Sequence, residues 1–225
     1  MTPRVAVVTG ATGALGQAVA ARLGRDHALV LLARHAGAAP PGGLSLAADV
    51  TSDDAMAEAA RQIAARFGRI DALVHVAGGF EMGEPVHGLS RASWDRLMAL
   101  NAWSFATVTR HLLPLMAAVT GGGTGGRVVA VSAAGAAHGA AHQGAYAASE
   151  AALQRLVESL AAERRADGIR VNSVAPTVLD TPDNRAAMPD ADRAAWVPLD
   201  AAADAIAFLA GDASRAVNGQ HLTLG

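Results

Sequence analysis

The chain alternates between two hydrophobic patterns. Short, continuous apolar runs rich in Val, Leu and Ile occupy residues 4–9, 28–33, 44–48, 71–76, 127–132, 169–175 and 220–224. Runs of this kind, without in–out alternation, predict strands covered on both faces. Between them lie longer stretches of helical composition at 14–23, 52–67, 90 to about 119, about 143–166 and about 200–210. Strands alternating with helices predict βαβ units. The expected fold is therefore α/β, a Rossmann-type doubly wound parallel sheet of about seven strands with helices on both faces. The segment Gly121-Gly122-Gly123-Thr124-Gly125-Gly126 reads as a flexible surface connection.

Composition narrows the function classes. With 225 residues, 52% hydrophobic content and no charge run or Pro/Ser-rich linker, the chain is expected to form one domain over 1–225 with one large core. A net charge of -2 gives no basic surplus to follow a phosphate backbone, so nucleic acid is not an expected partner. Cysteine is absent, which excludes disulfides and thiolate catalysis. All 18 basic residues are arginine, which excludes Schiff-base chemistry and any role for a titratable ammonium. The eight histidines lack ligand-like spacing, and no metal is expected. The first apolar run breaks at Gly10, too early for a signal core or a membrane span, so the expectation is a cytoplasmic protein with no membrane association.

The most specific local signal is Thr9-Gly10-Ala11-Thr12-Gly13-Ala14-Leu15-Gly16, set where the first strand meets the first helix. Glycines at 10, 13 and 16 let backbone approach a pyrophosphate, whose charge the helix N-terminus binds. At the end of the second strand stand Arg34 and His35, with no carboxylate. An acid there would pair with the ribose hydroxyls of NAD, whereas a basic residue meets the 2′-phosphate of NADP. Arg34 therefore favours NADP(H) over NAD(H).

With Asp49-Val50 after the third strand, Ala77-Gly78 after the fourth, Asn101, Ser132, Tyr146, Arg170-Val171-Asn172, and Pro176 followed by Thr181, the chain resembles the short-chain dehydrogenase/reductase family over essentially its whole length. The resemblance implies that Asp49 holds the adenine, that Ala77 and Gly78 line the cofactor cleft, and that Thr181 meets the nicotinamide amide. It implies a small-molecule substrate and a homodimer or homotetramer built on the long fourth and fifth helices. Leu153, Leu156, Val157 and Leu160 form an apolar stripe on the fifth, and that stripe also suits packing on the sheet. Two details depart from the usual pattern: Ala14 replaces the middle glycine, and His75-Val76-Ala77-Gly78 replaces Asn-Asn-Ala-Gly. A narrower likeness runs through Val178-Leu179-Asp180-Thr181-Pro182, Asn184-Arg185, Met188-Pro189, Ala191-Asp192, Trp196 and Pro198-Leu199. These residues resemble the quinonoid dihydropteridine reductase branch and its bacterial relatives.

In the family a tyrosine gives a proton to the substrate oxygen, a serine orients that oxygen, an asparagine anchors a water relay, and a lysine one turn beyond the tyrosine binds the nicotinamide ribose and lowers the phenol pKa. The resemblance assigns the first three roles to Tyr146, Ser132 and Asn101. Counting back from Tyr146, however, places Ala133 at the usual serine spacing. The fourth position is Glu150. A cation at about 5 Å in an effective dielectric near 20 is worth about 3 kcal/mol, or about two pKa units on the phenol. Reversing the sign predicts a raised Tyr146 pKa. Alcohol oxidation, which needs the tyrosinate, is then impaired, while reduction, which needs only a neutral donor, is not forbidden. A carboxylate would also stabilise an iminium substrate. His138 and His142, in the loop before Tyr146, are either lysine substitutes or solvated loop residues. Three readings stay open: an NADP(H)-dependent reductase of a small carbonyl or C=N compound, a dinucleotide-binding homologue without redox turnover, and a non-redox acid/base enzyme using Tyr146 and Glu150.

Overall fold

The computed structural model describes residues 3–116 and 125–225. Its elements in chain order are β1 (Arg4–Thr9), α1 (Ala14–Leu23), β2 (His27–Ala33), β3 (Leu44–Ala47), α2 (Asp53–Phe67), β4 (Ala72–His75), α3 (Arg91–Leu97), a π-helical turn (Met98–Trp103), α4 (Ser104–Met116), β5 (Arg127–Val131), α5 (Gly144–Glu163), β6 (Arg170–Pro176), α6 (Pro182–Ala187), α7 (Leu199–Ala210) and β7 (His221–Leu224). The seven strands form one sheet in the order β3-β2-β1-β4-β5-β6-β7, every neighbouring pair parallel. This is the doubly wound α/β architecture the alternating pattern predicts.

Two apolar layers sandwich the sheet. One joins Val5, Val7, Leu73 and Val128 to Met56 and Ile63 of α2, Phe105 and Leu112 of α4, and Leu153 and Val157 of α5. The other joins Ala6, Val8, Val74 and Val174 to Leu15 and Val19 of α1 and Ile206 of α7. Alternate residues of each strand thus face opposite helical layers, which is why the strands read as unbroken apolar runs. The stripe on α5 divides accordingly: Leu153 and Val157 are buried against the sheet, whereas Leu156 is exposed.

The long predicted helix 90–119 is not one α-helix. The described part is interrupted by the π turn at Met98–Trp103, and residues 117–119 lie outside the described residues, as does 121–124 of the glycine-rich connection. Hydrophobic periodicity does not register one extra residue in a turn, so the break is invisible to it. The short helix α6, capped by the Thr181 hydroxyl on the Asn184 amide, likewise lies outside what the pattern predicts. Among the described residues, no helix is long and apolar enough to cross a membrane.

Strand order reverses between β1 and β4, the chain leaving β1 for β2 on one side and returning to β4 on the other. At such a reversal the loops at the strand C-terminal ends diverge and leave a crevice. Leu73, fully buried at the centre of the sheet, measures how firmly the frame is held. Leu73→Ala is expected to destabilise the chain by about 2–5 kcal/mol, read by urea denaturation, with the midpoint moving and the slope unchanged.

Candidate active site

A cleft of about 450 Å³ opens at this reversal. Around it stand Gly10, Thr12, Gly13, Ala14, Leu15 and Gly16 from the β1–α1 turn, Arg34 after β2, Asp49 and Val50 after β3, Ala77 and Gly78 after β4, and Thr181. Pro176 does not line it and instead ends β6, paired with Leu224 of β7. Ala33, Ala48, Val76, Leu100, Val131, Leu179 and Asp183 complete the lining. They are ordinary apolar or surface residues in the sequence, brought there by the ends of β2, β3, β4 and β5, by the π turn and by the segment that leads into α6.

The turn is built for close approach. Gly10 has φ +63°, and a Cβ on it would stand 2.8 Å from the Ala77 nitrogen. A Cβ on Gly16 would overlap the Gly10 carbonyl oxygen and the Ala11 Cα. The Ser52 and Ser90 side chains cap α2 and α3, but Gly13 at the start of α1 offers no side-chain cap, and no acid lies in its first turn. The unsatisfied N–H groups and positive dipole end of α1 therefore face the cleft ready for an anion, and these residues fit a dinucleotide pyrophosphate. At the far end, Asp49 accepts hydrogen bonds from the Thr51 amide (2.9 Å) and hydroxyl (2.7 Å), which, with the Arg34 charge, hold its carboxyl below the usual range. Arg34 is exposed and makes no ion pair or hydrogen bond among the described residues.

The residues assigned to proton transfer gather on α5 and the π turn. Asn101, buried, grips Gly79 at both ends: its Oδ1 accepts from the Gly79 amide at 2.7 Å and its Nδ2 donates to the Gly79 carbonyl at 2.9 Å. Nδ2 also donates to the Ser149 hydroxyl at 3.0 Å, and that hydroxyl donates to the Tyr146 carbonyl at 2.8 Å. Ser149, an unremarked small residue in the sequence, thus ties Asn101 to the turn of α5 that carries Tyr146. The Tyr146 ring packs edge-on against Phe80, with centroids 4.8 Å apart, and Phe80 itself is exposed.

Ser132 meets α5. Gln154 of α5 donates to its hydroxyl oxygen at 3.2 Å, and Ser132 is in turn hydrogen-bonded to the Glu150 carboxyl. Its hydroxyl is thereby committed to α5. Ala133 follows in extended conformation, so its side chain leaves the backbone on the opposite side. Of the two loop histidines, His142 is exposed, adopts φ 62°, and is locked reciprocally to Gly83, accepting its amide at 2.9 Å and donating from Nδ1 to its carbonyl at 3.1 Å. It works as a loop clamp. His138 is also exposed.

Glu150 is only 5% exposed, and its Oε2 is buried without a hydrogen-bond partner. Burial pushes its carboxyl up to about 7, against the opposing pull of the Ser132 bond. The full negative charge expected from the sequence is therefore corrected: near neutral pH the group is about half protonated. The Tyr146 phenol is raised well above its ordinary value, as expected, but burial is the larger cause and the Glu150 charge the second.

Glu150 holds its proton more tightly folded than unfolded, where it titrates near 4.5. The folded state then binds more protons at this group between those values, so the stability that Glu150 itself contributes is fullest below about pH 4.5 and is lost as pH rises towards 7. The interval corresponds to a loss on the order of 3 kcal/mol. Glu150→Gln carries no such titration. Its Tm relative to the parent is expected to rise by about 5–10 °C between pH 4.5 and 8, measured calorimetrically. A pH-independent difference would show a hydrated, ordinary carboxylate.

Comparison with known proteins agrees with this geometry. Residues 10–224 match the family model described as Enoyl-(Acyl carrier protein) reductase. Cis-4-hydroxycyclohexanecarboxylate dehydrogenase of Sinomonas cyclohexanicum is 36% identical over 244 residues, spanning 98% of this chain and 94% of that protein. Among solved structures, 3-ketoacyl-(acyl-carrier-protein) reductase from Brucella melitensis complexed with NADH is similar with TM-score 0.86 at 24% identity, covering 98% of this chain and 96% of that one. ElxO with NADP bound is similar with TM-score 0.89 at 20% identity, covering 99% and 97%. At these identities the two structures speak for the fold. The family match over nearly the whole length, on a sheet that opens its crevice beside an uncapped glycine turn, places the chain in the short-chain dehydrogenase/reductase family of oxidoreductases.

Proposed function

We propose that the protein is an NADP(H)-dependent reductase of a small carbonyl or C=N compound that works with Tyr146 and Glu150 in place of the family's tyrosine and lysine. The observation that carries this reading is the buried carboxyl one helical turn from a phenol whose pKa is raised. Such a phenol stays protonated, so it serves as a donor and not as a base. The α1 N-terminus binds the pyrophosphate and Arg34 the 2′-phosphate. The two similar structures hold NADH and NADP respectively, so the preference for NADP rests on Arg34 alone.

When bound, NADPH supplies the hydride to the substrate carbon. Tyr146 gives its proton to the substrate oxygen or nitrogen as charge develops there. Glu150, about half protonated near pH 7, then returns a proton to Tyr146 and is itself reprotonated from solvent. Asn101 and Ser149 hold the tyrosine turn in register. With the Ser132 hydroxyl occupied by α5, Tyr146 is left as the sole hydroxyl assigned to the substrate heteroatom, an arrangement that favours C=N, whose reduction builds less negative charge than that of C=O. This preference accords with the likeness to the quinonoid dihydropteridine reductase branch.

The test is NADPH oxidation across cyclic ketones, aldehydes, quinones and cyclic imines. Turnover is expected with at least one class and to fall about 100-fold or more in Tyr146→Phe. It should also fall as pH rises through about 7, because the protonated form of Glu150 is the active one; Glu150→Gln should flatten that limb. No tyrosine-dependent turnover on any class would sink the redox reading. Arg34→Asp is expected to cut the preference for NADPH over NADH at least tenfold, as read from the two dissociation constants.

A further inference from the structure

His75, the last residue of β4, is fully buried and packs edge-on against Phe105, their ring centroids 5.8 Å apart. Both ring nitrogens are in use. Nδ1 lies 3.0 Å from the Thr9 hydroxyl of β1, and Nε2 lies 3.0 Å from the Ser104 hydroxyl that opens α4. The Ser104 oxygen is also 2.5 Å from the Leu100 carbonyl, which only accepts, so Ser104 spends its proton there and must accept from His75. The imidazole therefore carries its hydrogen on Nε2, and its Nδ1 accepts from Thr9. The Thr9 oxygen is left to accept the amides of Val76 at 3.1 Å and Ala77 at 3.2 Å. Each hydroxyl hydrogen and ring nitrogen has one partner, and the run has one direction: Thr9 to His75 to Ser104 to Leu100. Burial pulls the His75 pKa down to about 4, which keeps the ring neutral as this arrangement requires.

The two ends of this run meet the same stretch of backbone, 76–79, whose first three residues line the cleft. Thr9 holds the amides of Val76 and Ala77, and Asn101, one residue past Leu100, holds Gly79 through both backbone groups. A hydroxyl that takes the carbonyl four residues back distorts a helix, and here it does so inside the π turn that displays Asn101. We propose that His75 is a positioning residue that ties β1 to the π turn, so that the backbone at 76–79 and the side chain of Asn101 are set as one unit along the nicotinamide side of the cleft. This does not depend on which substrate is reduced, or on whether any is.

The variants are His75→Leu, which fills the space without hydrogen bonds, His75→Gln, whose amide can accept from Thr9 and donate to Ser104, and Ser104→Ala, which cuts the run beyond the ring. Backbone hydrogen exchange is followed at 76–79, at 98–103 and, as a control, in β5 and β6. Binding of NADPH and of 2′,5′-ADP, which lacks the nicotinamide half, is measured by calorimetry. His75→Leu and Ser104→Ala should each accelerate exchange at 76–79 and 98–103 at least tenfold with β5 and β6 within twofold. They should weaken NADPH at least fivefold while leaving 2′,5′-ADP within twofold. His75→Gln should restore both readouts to within threefold of the parent. Should His75→Leu fail to fold, Ser104→Ala, which removes a single hydroxyl, decides alone. Unchanged exchange at 76–79, acceleration spread equally over the sheet, or equal weakening of both ligands overturns the proposal. Loss of NADPH binding in the parent would instead refute the reductase reading and leave the exchange test standing.

Discussion

A parallel sheet whose strand order reverses between β1 and β4 cannot close the space above that reversal, because the loops at the two strand ends leave in opposite directions. The glycine-turn end of the site follows from that constraint. The crevice receives the uncapped start of α1, the ends of β2 and β3, and residues 76–78 after β4. Glycine is required at 10 and 16 because backbone crosses backbone there, and the same crossing leaves room for a pyrophosphate.

Within this frame the acid one helical turn beyond Tyr146 is neutral or weakly charged. A lysine ammonium beside Tyr146 would lower its pKa, whereas the Glu150 carboxyl in the same burial raises it and is itself raised. The carboxyl stays buried because Ser132 and Gln154 form a short polar run beneath it. Its second oxygen has no partner, a cost that a packed interior tolerates more readily when the group is protonated. Glu150, Ser132 and Gln154 thus form one buried polar group between the end of β5 and α5.

Much of the frame was legible because its signals are local and repeated. The seven apolar runs and the helices over 14–23 and 52–67 need only residue type and spacing, and the structure places them within a residue or two. The places of the glycine turn and of Arg34 at the cleft were readable for the same reason, since both follow strand ends. What escaped is set by tertiary contact. The Asn101 grip on Gly79, the Ser149 link and the bonds of His75 and Thr9 depend on partners between 22 and 68 residues away in the chain. The charge of Glu150 escaped as well, because sequence gives the acid but not the 5% exposure that keeps its proton on.

The chain contains a single tyrosine, so the ultraviolet absorbance change on phenol ionisation reports Tyr146 alone. An alkaline titration of the folded protein therefore tests the central claim directly. The account predicts no ionisation at the ordinary phenol value near 10, and ionisation at a lower pH in Glu150→Gln than in the parent. Ionisation of the parent at or below 10, unchanged by Glu150→Gln, would contradict it.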